Sequence, residues 1–374
     1  MTWRRSAAMQ SYLDYNASAP VRPEVALAMA AALGRTGNPS SVHRAGREAR
    51  ALLEQARESV AALVGAPAHA VVFTSGGTEA NNQALQSVSG RRLVSAIEHD
   101  SVLAAAPDAL RIPIDGHGVI DLAKLVELLA AARPALVSVM LANNETGVIQ
   151  PVREVVACAR RHGALAHCDA VQAAGKIPID VNDLGADFMT LSAHKLGGPS
   201  GVGALVLGPR IEPVALHRGG AQERRWRPGT ENLPGIVGFG RACELAAADT
   251  GWQQRVGALR DRLEAGIAAI ASDARVLGVG APRLANTSCV TMPGVGNQTQ
   301  LIDLDLAGIA ISAGSACSSG KVGPSHVLAA MGVVADEAQS AIRVSLGWAS
   351  TASDVDRFLA AWGRLYERTR ARAA

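Results

Sequence analysis

The sequence predicts an α/β protein, a large domain on a mostly parallel sheet followed by a smaller α+β domain. Three observations lead there. Six short apolar runs, at 71–75, 92–97, 135–142, 164–170, 187–192 and 201–208, are nearly continuous rather than alternating. Strands covered on both faces read this way. Helical patterns at 78–88, 121–132 and 151–162 fall between several of them, as crossover connections between parallel strands require. From about residue 232 the texture changes. An Ala/Leu/Arg-rich helical stretch runs to about 271, then come weaker strands at 285–292 and 341–346, with helices near 298–308 and 351–371.

Each element has a local reason. "VVFTS" (71–75) is an apolar strand that ends in the turn Gly76–Gly77, and a helical pattern follows at once. The 151–162 helix begins at Pro151 and stops at Gly163, the residues that favour a helix start and a helix end. "ALAHCDA" (164–170) has Asp169 next to its end and "DFMTLS" (187–192) ends in Ser192, polar residues suited to the rim of a sheet.

Composition bounds the rest. A chain of 374 residues suits two domains or one large domain with a satellite. Hydrophobic residues make up 48% but aromatics only 3%, so the core is built from Ala, Val, Leu and Ile. Net charge is +3, the signs alternate, and no basic block points to nucleic acid. Arg4 and Arg5 are followed by Gln10 and Asp14, which interrupt any apolar leader, and no run is long enough to span a membrane. Five cysteines without CxxC or framework spacing fit reduced thiols, so a cytoplasmic protein is expected.

Four stretches carry chemistry. In "FTSGGTEANN" (73–82) the amides of Gly77 and Thr78 would face an anion from the positive end of a helix. A tight strand-to-helix connection would need the same glycines. "HCDAVQ" (167–172) places Asp169 at the carboxyl end of a strand, where open α/β sheets bind ligands, with Gln172 three residues on. His167 and Cys168 suggest metal, but neighbours on a strand point to opposite faces, so no metal site is expected. "SAHKLGGPSG" (192–201) sets Lys195 after a buried strand and before a glycine-rich turn. A desolvated lysine there is an amine ready for Schiff-base chemistry, although a lone loop lysine is commonly just solvated. "SAGSACSSG" (312–320) surrounds Cys317 with small residues that neither pack a core nor hold a rigid helix. A phosphate cradle, a carboxylate and a buried lysine together are what pyridoxal phosphate needs.

The sequence resembles the cysteine desulfurases of the NifS/IscS type, in the class V aminotransferase family. The stretches that carry the resemblance are "YLDYNASAP" (12–20), "GNPSSVH" (37–43), "TSGGTEANN" (74–82), "EHDSV" (98–102), "NNETG" (143–147), "DAVQ" (169–172), "SAHK" (192–195), "RPGTENLP" (227–234), "GSACSSG" (314–320) and "IRVSLG" (342–347). They follow the family's order over nearly the whole chain. Ala193 and Ala221 stand where the family has Gly or often has it, both small changes.

The resemblance implies a pyridoxal phosphate transferase of fold type I with a seven-stranded sheet. The large domain would span 16–257, and 1–15 with 258–374 would form the small domain that carries a mobile cysteine loop. Lys195 would carry the cofactor, His99 would stack on its ring and move protons, Asp169 would pair with the ring nitrogen and Gln172 with the ring oxygen. Thr78, Ser192 and His194, with the Gly77 amide, would hold the phosphate. Thr230 would reach the phosphate of a second subunit, which implies a homodimer. Asn144 and Arg343 would hold the carboxylate of L-cysteine, Arg343 through its planar fork. Cys317 would take the substrate's sulfur as a persulfide and pass it to an iron–sulfur scaffold or another acceptor protein; a pliable loop suits both tasks. Cys158, Cys168, Cys243 and Cys289 lie in apolar patterns and read as buried structural thiols. An aminotransferase, a selenocysteine lyase or a non-catalytic sulfur carrier are the alternatives. Transamination needs no protein thiol, which favours desulfuration.

Overall fold

The computed structural model describes residues 11–209, 211–314 and 325–373. A seven-stranded sheet runs in the order Val71–Thr74, Gly203–Leu207, Phe188–Ser192, Leu165–Asp169, Leu136–Ser138, Arg92–Ser95, Leu110–Ile112. Gly203–Leu207 is antiparallel to both its neighbours and every other pairing is parallel, as the continuous apolar runs implied. Leu110–Ile112 was not expected. It is an edge strand with Leu110 and Arg111 exposed, so no apolar run marks it.

Helices Gly77–Gln86, Leu122–Ala132 and Val152–Arg161 fall close to their expected bounds. Pro23–Leu33 and Arg44–Leu63 are additional and lie against Leu233–Ala248. Glycine makes that approach possible. A Cβ on Gly240 would sit 2.7 Å from Ala56 Cα, closer than real Cβ atoms come. The long helical stretch from 232 is two helices, Leu233–Ala248 and Trp252–Ile270, separated at Asp249–Gly251.

A second sheet follows the order Ser312–Ala313, Ala341–Ser345, Thr287–Thr291, Val276–Leu277, all antiparallel. Its core contains Phe358, Trp362, Leu304, Ile342 and Val344, together with Leu13 from the other end of the chain. Leu13 arrives there because Ser11–Tyr12 pairs in parallel with Ile309–Ala310, and the Tyr15 amide then bonds to the Ser345 carbonyl at 3.2 Å. Residues 11–17 therefore lie between the two sheets and reach the carboxyl ends of the central strands. Among the described residues, no helix is long and apolar enough to cross a membrane.

Candidate active site

Asp169 closes its strand and is buried. Its Oδ1 accepts the Val171 amide at 3.0 Å, and its Oδ2 accepts the Asn81 side-chain amide at 2.8 Å. The same Asn81 nitrogen lies 2.9 Å from Ser101 Oγ, and Ser101 Oγ lies 2.8 Å from His99 Nδ1. The Ser101 amide also donates to His99 Nδ1 at 3.1 Å. That nitrogen is thus an acceptor, and in neutral His99 the proton resides on Nε2.

Gly77 begins its helix, and the first-turn amides have no intrahelical acceptor. A Cβ on Gly77 would meet Val171 Cγ2 at 3.0 Å, so a side chain there would crowd the cradle. Glu79 steadies the turn by accepting the Ser75 amide at 2.8 Å and pairing with Arg227 at 2.9 Å. Ser192 ends the neighbouring strand, and Lys195 follows in the single turn Ala193–Lys195. The Lys195 amine donates to the carbonyls of Asn16 at 2.6 Å and Ala17 at 2.9 Å. His194 is pushed down to about 4 by burial and by the charges of Lys195 and His99, so it is neutral at pH 7.

These groups share one cavity of about 390 Å³, lined by Gly77, Thr78, His99, Asp169, Gln172, Ser192, His194 and Lys195. Asn144 and Arg343 line it as well. Its size is that of a small-molecule site. Arg343 is only 2% exposed. One of its terminal nitrogens pairs with Asp14 at 2.9 Å and the other donates to the Asn144 carbonyl at 3.1 Å. Its Nε is buried with no partner among the described residues. Asp14 in turn accepts Ser312 Oγ at 2.7 Å. A buried guanidinium lining a cavity is suited to receive a carboxylate.

Thr230 is exposed and does not line this cavity. Cys317 lies outside the described residues. The other four cysteines are buried, as expected. Burial raises the Cys289 thiol to about 12, so it is protonated at neutral pH. His167 spans neighbouring strands, Nδ1 to Ser138 Oγ at 2.8 Å and Nε2 to Thr190 Oγ1 at 3.0 Å, so both ring nitrogens are occupied by hydroxyls.

Several contributors escaped the sequence reading, among them Asn16, Asn81, Glu98 and Lys176. Asn81 had a usable signal, since it stands four residues from Gly77 on the same helix face. Glu98 is fully buried, with Oε1 accepting the Met140 amide at 2.6 Å and Oε2 unpartnered among the described residues. Burial, and then the charge of Asp169, raise it from its usual 4.5 to about 8. It is therefore largely neutral at pH 7.

Glu98→Gln should flatten the pH dependence of stability between about 4.5 and 8. Across that window the folded chain keeps a proton that the unfolded chain has released. Stability is full below the unfolded value and falls as pH rises, by at most about 1.4 kcal/mol per pH unit. Urea melts at pH 5 and pH 9 check this: the variant should gain on the wild type only at pH 9, and an equal gap at both would refute it.

Residues 11–358 match the family model described as aminotransferase class-V. A cysteine desulfurase from Cereibacter sphaeroides is 46% identical, covering 96% of this chain and 96% of its own. The cysteine desulfurase IscS of Dictyoglomus turgidum is 40% identical over 96% and 95%. Among solved structures, a NifS-like protein from Rickettsia africae superposes with a TM-score of 0.90 at 35% identity, over 96% of this chain and 99% of that one. A structure of SspA in complex with cysteine gives 0.80 at 31% identity, over 90% and 99%. The chain belongs to the class-V aminotransferase family, as a cysteine desulfurase of the NifS/IscS type.

Proposed function

We propose that this enzyme binds pyridoxal phosphate in the cavity, converts L-cysteine to L-alanine, and keeps the sulfur as a persulfide on Cys317. One observation carries the reading. A carboxylate (Asp169), an amine (Lys195) and an anion cradle (Gly77, Thr78) face one cavity, beside a buried guanidinium suited to a carboxylate. This donor set fits the cofactor's ring nitrogen, aldehyde and phosphate, and the substrate's carboxylate.

When bound, pyridoxal phosphate supplies an electron sink beside the substrate's α-carbon. Asp169, fixed by Asn81 and Val171, places its charge toward the ring nitrogen. Ser192, neutral His194 and the first-turn amides hold the phosphate, and Lys195 carries the cofactor. Arg343 and Asn144 orient the substrate. Once the substrate's amine has replaced it on the cofactor, the freed Lys195 Nζ would take the α-proton, and His99 Nε2 would serve as the adjacent proton carrier. The Cys317 thiolate attacks the substrate sulfur. The C–S bond breaks as the S–S bond forms and its electron pair stays with carbon, and two protons, one to the β-carbon and one returned to the α-carbon, complete alanine. The bound sulfur then passes to an iron–sulfur scaffold or another acceptor protein. Exposed Thr230 contributes to the phosphate site of a second copy, which makes the working unit a homodimer.

Purified protein with pyridoxal phosphate should release alanine from L-cysteine and, with a dithiol, an equal amount of sulfide. Light scattering should give the mass of two chains. Cofactor uptake without alanine would reject the reaction, and a fully active monomer would reject the shared site.

A further inference from the structure

Lys176 has no role in the steps above, yet its amine touches Gln172 and Asn16, which line the cavity. It lies in the turn after the Asp169 strand, four residues beyond Gln172, and is buried. Its Nζ donates to Gln172 Oε1 at 2.9 Å and to Asn16 Oδ1 at 2.9 Å. Among the described residues no carboxylate pairs with it. Burial, and then the charges of Lys195 and Arg343, push it well below the ordinary lysine range. Two acceptors meet the amine here, which fixes two of its N–H directions.

The consequence falls on the amide of Gln172. An amide can be turned end for end unless its partners forbid it. Gln172 Nε2 donates to the Asn16 backbone carbonyl at 3.0 Å, and a carbonyl only accepts. Turning the amide would set two carbonyl oxygens against each other. Lys176 supplies the matching donor on the other side. Asn16 is held likewise, since its Oδ1 also accepts Asn286 Nδ2 at 3.0 Å and its own Nδ2 donates to Thr287 Oγ1 at 2.9 Å. Without Lys176 the buried Oε1 would lose its donor, at a cost large enough to favour another amide orientation.

We propose that Lys176 is a positioning residue that fixes the Gln172 amide, so that Gln172 meets a group bound in the cavity through an N–H and never through its oxygen. The recognised atom is then an acceptor, as an ionised ring oxygen of pyridoxal phosphate is. This role presupposes that the cavity takes that cofactor.

The test compares Lys176→Met in the wild-type and Gln172→Met backgrounds, each loaded with pyridoxal phosphate. Three quantities are read: the cofactor's dissociation constant by equilibrium dialysis, its near-visible absorption maximum, and the melting temperature of the cofactor-free protein. In the wild-type background, Lys176→Met should weaken binding about tenfold, the loss of one modest hydrogen bond, and should shift the absorption maximum. In the Gln172→Met background it should change neither, because the residue it acts through is gone. Lys176→Gln, which keeps an N–H donor one atom shorter, should retain more of the wild-type spectrum than Lys176→Met. It also carries the same two-background comparison should the methionine variant not fold. A fall in melting temperature alone, equal in both backgrounds and without spectral change, would overturn the role. So would a Lys176→Met protein that matches wild type in affinity and spectrum. A wild type that takes up no pyridoxal phosphate would instead overturn the cofactor reading itself, and this role with it.

Discussion

Replacing Lys195 with alanine should abolish turnover, by at least about a thousandfold, within the range lost with a catalytic acid or base. It should also release pyridoxal phosphate on gel filtration. The Lys195 amine lies in the shared cavity, where the bound cofactor and the substrate's α-carbon would meet it. The fold should survive. The Asn16 carbonyl, which the amine bonds in the wild type, keeps the Gln172 amide as a partner. A melting temperature close to wild type would separate lost chemistry from lost structure. Borohydride treatment of the wild-type holoenzyme should leave a pyridoxyl group on the Lys195 peptide. The same group on Lys176, whose amine bonds the cavity residues Gln172 and Asn16, would reject the assignment.

Cys317→Ser should lose alanine formation by at least about a hundredfold while binding pyridoxal phosphate like wild type. A serine hydroxyl is not ionised at neutral pH, whereas a thiol supplies the thiolate nucleophile. Wild type treated with L-cysteine should gain one sulfur on the Cys317 peptide, and the serine variant none. The four remaining cysteines offer a sharp contrast, because all are buried and Cys289 titrates only near pH 12. Sulfur found on Cys158, Cys168, Cys243 or Cys289, or wild-type turnover by the serine variant, would end the proposal for Cys317.

The sheet was readable because its strands are covered on both faces, and continuous apolar runs are hard to mistake. Leu110–Ile112 escaped for the converse reason, as an edge strand with Arg111 exposed. The break at Asp249–Gly251 was missed because helical composition resumes directly after it. In the site, Asp169, Ser192 and Lys195 were legible from their places at strand ends. Asn16 and Lys176 were not. Lys176 reads as an ordinary polar loop residue, and only contacts 160 residues apart reveal that Asn16 Oδ1 takes its N–H. Arg343 alone would pass for a solvated arginine, yet it is buried against Asp14, 329 residues away.

Those separations bear on how the protein is made. Asn16 bonds to Asn144, Gln172, Lys176, Lys195, Asn286 and Thr287, and its amide reaches Ser345. A ribosome delivers Asn16 329 residues ahead of Ser345, at roughly 5–20 residues per second. The central strands from Val71 to Leu207 can pair while the chain is still growing, but the N-terminal segment must wait for Ile309 and Ser345 to emerge. Contacts of such high order close late in folding. A nascent chain that has not yet delivered Ser345 therefore has no finished cavity, and competence to hold a ligand there waits for that residue.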